Sequence, residues 1–113
     1  MPDFKFDEPK KRTKTGESRF LELTEEVLGR ERVEIIGHAQ ERMGDWDLTD
    51  EDALKVLRQP DLVDLPTDVG RKRYRRHKTN RVSVDVVFEE FPDTIRIITV
   101  IKVERRMTRR GRK

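Results

Sequence analysis

The sequence predicts an α+β domain in which N-terminal helices pack on one face of a small antiparallel sheet. Three observations predict it. Apolar residues recur at helical spacing near the N-terminus, residues 49–60 carry both a helix start and a helix stop, and the C-terminal third alternates apolar and polar residues in strand fashion. A chain of 113 residues makes one small domain. With 43% charged and 33% hydrophobic residues, its core must come from a few concentrated segments.

Residues 1–17 hold Pro2, Pro9 and the run Lys10-Lys11-Arg12 with little apolar content, which reads as a flexible basic tail. The domain is expected over residues 18–104, with 18–32 as an N-terminal helical extension. Within it Phe20, Leu23 and Val27, flanked by Leu21 and Leu28, follow the i, i+3, i+7 pattern until Gly29, so a helix is predicted over 18–28. Residues 33–36 read either as a short edge strand or as part of a helix running from Thr24 to Met43. Gly29 and Gly37 would each cost such a helix about 1 kcal/mol, which favours the broken version.

In "GHAQERM" the residues His38 and Arg42 are stacked neighbours at helical spacing, while Ala39 and Met43 form an apolar pair on another side. One side is suited to packing and the other to contact. Thr49 is an N-cap with Asp52 three residues on, Ala53, Leu54 and Leu57 supply a core face, and Pro60 ends the helix. A loop with a short "LVDL" follows. Then "RKRYRRHK", "RVSVDVVF" and "IRIITVIKV", separated by "TN" and "EEFPDT", make a meander of three antiparallel strands with the last one central. Residues 105–113 are a second basic tail.

Several classes are excluded by composition. There is no cysteine and there are two histidines, so disulfides and thiolate zinc sites are absent and no metal or cofactor is expected. The acidic group Asp45, Asp47, Asp50, Glu51 and Asp52 lacks the glycine and terminal glutamate of a calcium loop, and helix N-terminal charge accounts for much of it. No run approaches a membrane span and no secretory signal is evident, so a cytoplasmic protein with no membrane partner is expected.

Charge is divided unevenly along the chain. Residues 1–68 carry 11 Lys/Arg against 18 Asp/Glu, and residues 69–113 carry 15 against 5, so the net +3 hides halves of −7 and +10. Seven of the eleven positions 71–81 are basic, more than edge protection needs, and this points to a polyanion such as RNA. The candidate RNA-binding residues are Arg71, Arg73, Tyr74, Arg75, Arg76 and Lys78, the tyrosine offering a stacking ring or a hydroxyl. On an extended strand Lys72, Tyr74 and Arg76 share one face, and Arg71, Arg73, Arg75 and His77 share the other. Thr99, inside the apolar run "RIITVIK", reads first as a good β-former; if it lies on the open face with Ile97 and Ile101, its hydroxyl reaches a phosphate.

The order "HAQERM", a capped helix ending "LRQPD", then "GRKRY", a valine-rich strand and "IRIITV" resembles the RelE/ParE-like small toxin superfamily. The closest likeness is to its uncharacterised members with an H-A-x-x-R-M helix, over about residues 33–103. The resemblance implies a curved antiparallel sheet under a helical layer. It also implies a toxin-like, metal-independent endoribonuclease acting by 2′-hydroxyl transesterification, with catalytic His38, Arg42 and Thr99. An acidic cognate antitoxin would be the protein partner. Two alternatives stay open: a non-catalytic RNA- or partner-binding module of the same fold, and a gyrase-directed toxin.

Overall fold

The computed structural model describes residues 17–104, so the two expected basic tails lie outside the described residues apart from Glu17. Five strands and two nine-residue helices follow in the order β1 (Arg19–Val27), β2 (Arg30–Ile35), α1 (Gly37–Asp45), α2 (Asp50–Arg58), β3 (Lys72–His77), β4 (Val82–Glu90) and β5 (Ile95–Glu104). All strands join one sheet in the order β1-β2-β5-β4-β3.

This overturns the expected layout. The N-terminal segment is a β-hairpin rather than a helical extension, strands dominate, and the sheet is mixed because β2 pairs parallel with β5 through Val33↔Ile95 and Ile35↔Ile97. The hairpin turns at Leu28 and Gly29, with φ of 51° and 82°, between the paired residues Val27 and Arg30. Two successive positive φ values match the right-handed twist of paired strands, and glycine adopts one of them without steric penalty. Gly29 therefore turns a hairpin instead of stopping a helix. Local spacing favoured the helix, but β2 needs a partner on its outer side, and β1 supplies one with Leu21 opposite Val33. Phe20, placed in the helical stripe by its spacing, is 47% exposed under the Arg32 guanidinium, 4.3 Å from the ring centroid.

The other elements form where their signals lie. Thr49 caps α2 reciprocally: the Asp52 amide donates to Thr49 Oγ1 at 3.1 Å, and the Thr49 amide donates to Asp52 Oδ2 at 2.9 Å. Strands β3, β4 and β5 are the expected antiparallel meander, and β5 is central. The "LVDL" loop runs along the outer edge of β3, where the amides of Leu62 and Leu65 donate to the carbonyls of Arg75 and Arg73. That contact covers part of an edge that would otherwise be open.

The core lies between the two helices and one face of the sheet. Ala39 and Met43 of α1 and Ala53, Leu54, Val56 and Leu57 of α2 join Val84, Val86, Phe88, Ile95, Ile97 and Val100 in one buried cluster. Fully burying one such aliphatic or aromatic side chain contributes about 1.5–3 kcal/mol. At one point β5 breaks its alternation. Val87 pairs with Thr99 but Phe88 pairs with Ile97, so Ile98 is the extra residue of a bulge. Ile97 therefore turns into the core, and the open-face set read as Thr99 with Ile97 and Ile101 is corrected to Thr99 with Ile101. Both edge strands are also tied to the first turn of α2, since Arg19 of β1 pairs with Asp50 and Lys78, just past β3, pairs with Asp52.

Candidate nucleic-acid interface

Strand β3 divides the predicted binding residues between the two faces of the sheet. Residues paired across an antiparallel ladder share a face, so Tyr74 opposite Val86 and Arg76 opposite Val84 look toward the helices. Arg73 opposite Val87, Arg75 opposite Asp85 and His77 opposite Ser83 look the other way. Among the described residues no helix lies over that second face.

On the helix side Tyr74 is a packing residue. Its ring meets Phe88 edge to face, with centroids 4.9 Å apart and planes at 83°, and it packs against the core. Lys72 pairs with Glu90 at 2.8 Å. Hydrogen bonding from the Lys72 ammonium holds the Glu90 carboxyl below its ordinary value, and the same contact raises Lys72. Arg76 donates Nη1 to the carbonyl of Gln59 at 2.8 Å, at the end of α2.

On the open face the rows across the sheet carry alternating charge. Arg71 lies 3.4 Å from Glu89, Glu89 lies 3.8 Å from Arg96, and Arg96 donates to Glu34 at 2.9 Å. The next rows hold the tightest group. Asp85 is fully buried, and it accepts from Arg73 Nε at 2.7 Å and from Arg75 Nε and Nη2 at 2.6 and 2.9 Å. Side-chain hydrogen bonding to Asp85 raises the Arg75 pKa further above its already high ordinary value. Two guanidiniums share one carboxylate, so the group keeps one positive charge. Nη1 of each arginine is not used by Asp85, and both side chains are about a quarter exposed, at 27% and 26%. Beside them His77 sets Nδ1 2.8 Å from the buried Ser83 Oγ.

Thr99 joins this group through the row Arg73–Val87–Thr99. His38 and Arg42 do not. They are exposed on α1, whose Ala39 and Met43 pack into the core on the helix side, so the sheet separates them from Arg73 and Arg75. Arg42 lies 3.8 Å from Asp45. The residues that spacing linked as one catalytic set thus occupy two sides of the molecule.

Sequence reasoning passed over Asp85, the organiser of the open-face group. It lies in "VSVDVVF" at a position that reads as solvent-facing. Its partner could have been found from the turn: the ladder is anchored by Lys78 donating its amide to the Val82 carbonyl at 2.8 Å, and counting back from it sets Arg75 opposite Asp85. Lys55 and Lys102 were passed over too, because each is an isolated lysine in its own element. Of the acidic group at the start of α2, Asp50 pairs with Arg19 and Asp52 with Thr49 and Lys78, and no cluster suited to a metal ion occurs among the described residues. Burial pushes the Asp52 carboxyl up, but the Thr49 amide and Lys78 outweigh it and hold the pKa below the ordinary value. Among the described residues no helix is long and apolar enough to cross a membrane.

No protein-family profile, no curated protein and no solved structure matches this chain.

Proposed function

We propose that the chain is an RNA-binding module that grips the phosphate backbone through the open face of its sheet. The observation that supports this reading is the Arg73–Asp85–Arg75 group, in which one buried carboxylate holds two partly exposed guanidiniums in fixed positions and leaves a positive charge unbalanced. Fixing the forks in advance removes much of the ordering entropy that phosphate binding would otherwise require of long side chains. Thr99 adds a hydroxyl one row away, and His77 adds an imidazole at the strand end. Cleavage through His38 is the less supported reading, because His38 and Arg42 are separated from this group by the sheet.

The test is affinity for single-stranded RNA as a function of salt. Replacing Arg73 and Arg75 by alanine together with Asp85→Asn, so that no buried charge is left unpaired, removes the group's one unbalanced positive charge, and the slope of log affinity against log salt falls by about 0.7. An unchanged slope would remove β3 from the interface. Incubation with total RNA in EDTA, wild type beside His38→Ala, tests cleavage separately: RNA left whole by both leaves binding as the activity.

A further inference from the structure

A hollow of about 140 Å³ lies between α2 and the end of β3, lined by Asp52, Lys55, Arg76, His77, Lys78 and Val84. Neither the packing of the core nor the open-face reading accounts for it. One water needs about 10–15 Å³ of such water-reachable space, so the hollow has room for several waters or one tetrahedral oxyanion.

Its lining is cationic because α2 and the end of β3 converge on it. Arg76 looks toward the helices beside Val84, with its Nη1 anchored on the Gln59 carbonyl. Lys78 follows the strand and places Nζ 3.3 Å from Asp52. Lys55 stands one turn after Asp52 on the exposed side of α2, with no ion pair or hydrogen bond among the described residues. Within the lining these three cations face one carboxylate, that of Asp52. Lys102, opposite Val84 in the ladder, continues the row from Arg76 and adds a further positive charge nearby. Asp61, whose Oδ2 accepts from the His77 amide at 2.7 Å, is a second carboxylate beside the lining, so the four cations against two carboxylates still leave two positive charges in excess. Like charges gathered around a concavity repel one another, and no lining residue balances the remainder. A bound anion would.

We infer that this hollow is a binding site for a phosphate monoester, held by Lys55, Arg76 and Lys78. A monoester carries between about 1.5 and 2 negative charges near neutral pH, which matches the excess. Its several oxygens suit one planar fork and two ammonium groups. The ester is either the phosphorylated end of a nucleic acid or a small phosphorylated molecule. Arg73 and Arg75 look out from the opposite side of β3, so this site stands whether or not the open face binds RNA.

The experiment is an NMR titration of the full chain with inorganic phosphate, following backbone amides. The expected result is a saturable shift confined to the residues lining the hollow, with Kd on the order of 1 mM, weakened about tenfold by Lys55→Ala. That variant keeps its fold, since Lys55 is exposed and alanine is the stronger helix former. Shifts spread over the basic surface, or a titration indifferent to Lys55→Ala, would overturn the site. A second arm compares a short RNA with a 5′-phosphate, the same RNA with a 5′-hydroxyl, and a nucleoside 5′-monophosphate. Tighter binding of the phosphorylated RNA than of the nucleotide identifies a nucleic-acid end, and equal binding of the two identifies a small phosphate ester. Equal binding of the phosphorylated and hydroxyl RNAs counts against a monoester site.

Discussion

The two faces of β3 show the same residue chemistry put to different ends. Toward the helices Tyr74 fills space against Phe88, while Lys72 and Arg76 reach past the core to Glu90 and the Gln59 carbonyl. Away from the helices Arg73 and Arg75 close over Asp85, which is as fully buried as any core valine. One face is stabilised by apolar contact and the other by a shared charge. The difference teaches that a run of basic residues is not one electrostatic surface. Its alternation sorts it into two environments, and each acid it meets removes part of its attraction for a polyanion.

Substitutions can break this comparison, and the largest effect belongs to the apolar face. Phe88→Ala should lower stability by about 3–5 kcal/mol in urea denaturation, because it leaves a cavity under Tyr74 and the helices. Asp85→Ala follows with a loss of about 3 kcal/mol, as two arginines lose their common anchor, moderated by the water each can still reach. If Asp85→Ala were neutral, the open face would not depend on its charge group. Its RNA affinity is the second readout, expected to fall because the guanidiniums are no longer held in place.

Smaller effects sharpen the comparison. Thr49→Ala removes one half of the cap of α2 and should cost about 1 kcal/mol. It also frees Asp52, the carboxylate that Lys78 shares at the end of β3. Tyr74→Phe should change stability by no more than about 0.5 kcal/mol and leave RNA affinity as it was, since the ring is used for packing; a clear loss of affinity would return Tyr74 to the interface. Another small effect is acidic. Glu90 has a lowered folded pKa, chiefly from its hydrogen bond with Lys72, so its contribution is complete above the ordinary carboxylate pKa and is lost as pH falls through the folded value. Being partly exposed, the pair is worth under about 1 kcal/mol, and Glu90→Gln should flatten that part of the acid limb of a stability-against-pH curve.

Elements were legible where a local signal had no competitor. The cap at Thr49 and the stop at Pro60 bound a segment with one apolar face, and α2 forms there. The alternation of Val82, Val84, Val86 and Phe88 specifies one strand face whichever partner it meets. The segment 18–28 was not legible in the same way. Leu21, Leu23 and Val27 fit a strand about as well as Phe20, Leu23 and Val27 fit a helix, and the vacant outer side of β2 decided between them. Membership of the open-face site was half legible: alternation placed Arg73, Arg75 and His77 together, but the bulge at Ile98 changed which neighbours Thr99 keeps.

By itself the sequence determined the second helix, the three-strand meander, the apolar stripe of α1 and the separation of β3 into two faces. Each follows from a period, a cap or a turn that acts over a few residues, with no need to know what lies opposite. The tertiary structure decided that the N-terminal segment is a hairpin, that the sheet is mixed, that His38 and Arg42 stand apart from Arg73 and Arg75, and that Asp85 gathers two arginines. It also brought Lys55 into one hollow with Arg76 and Lys78. These outcomes depend on pairing between residues far apart in the chain, where the energy comes from the partner and is not encoded in the spacing of either segment.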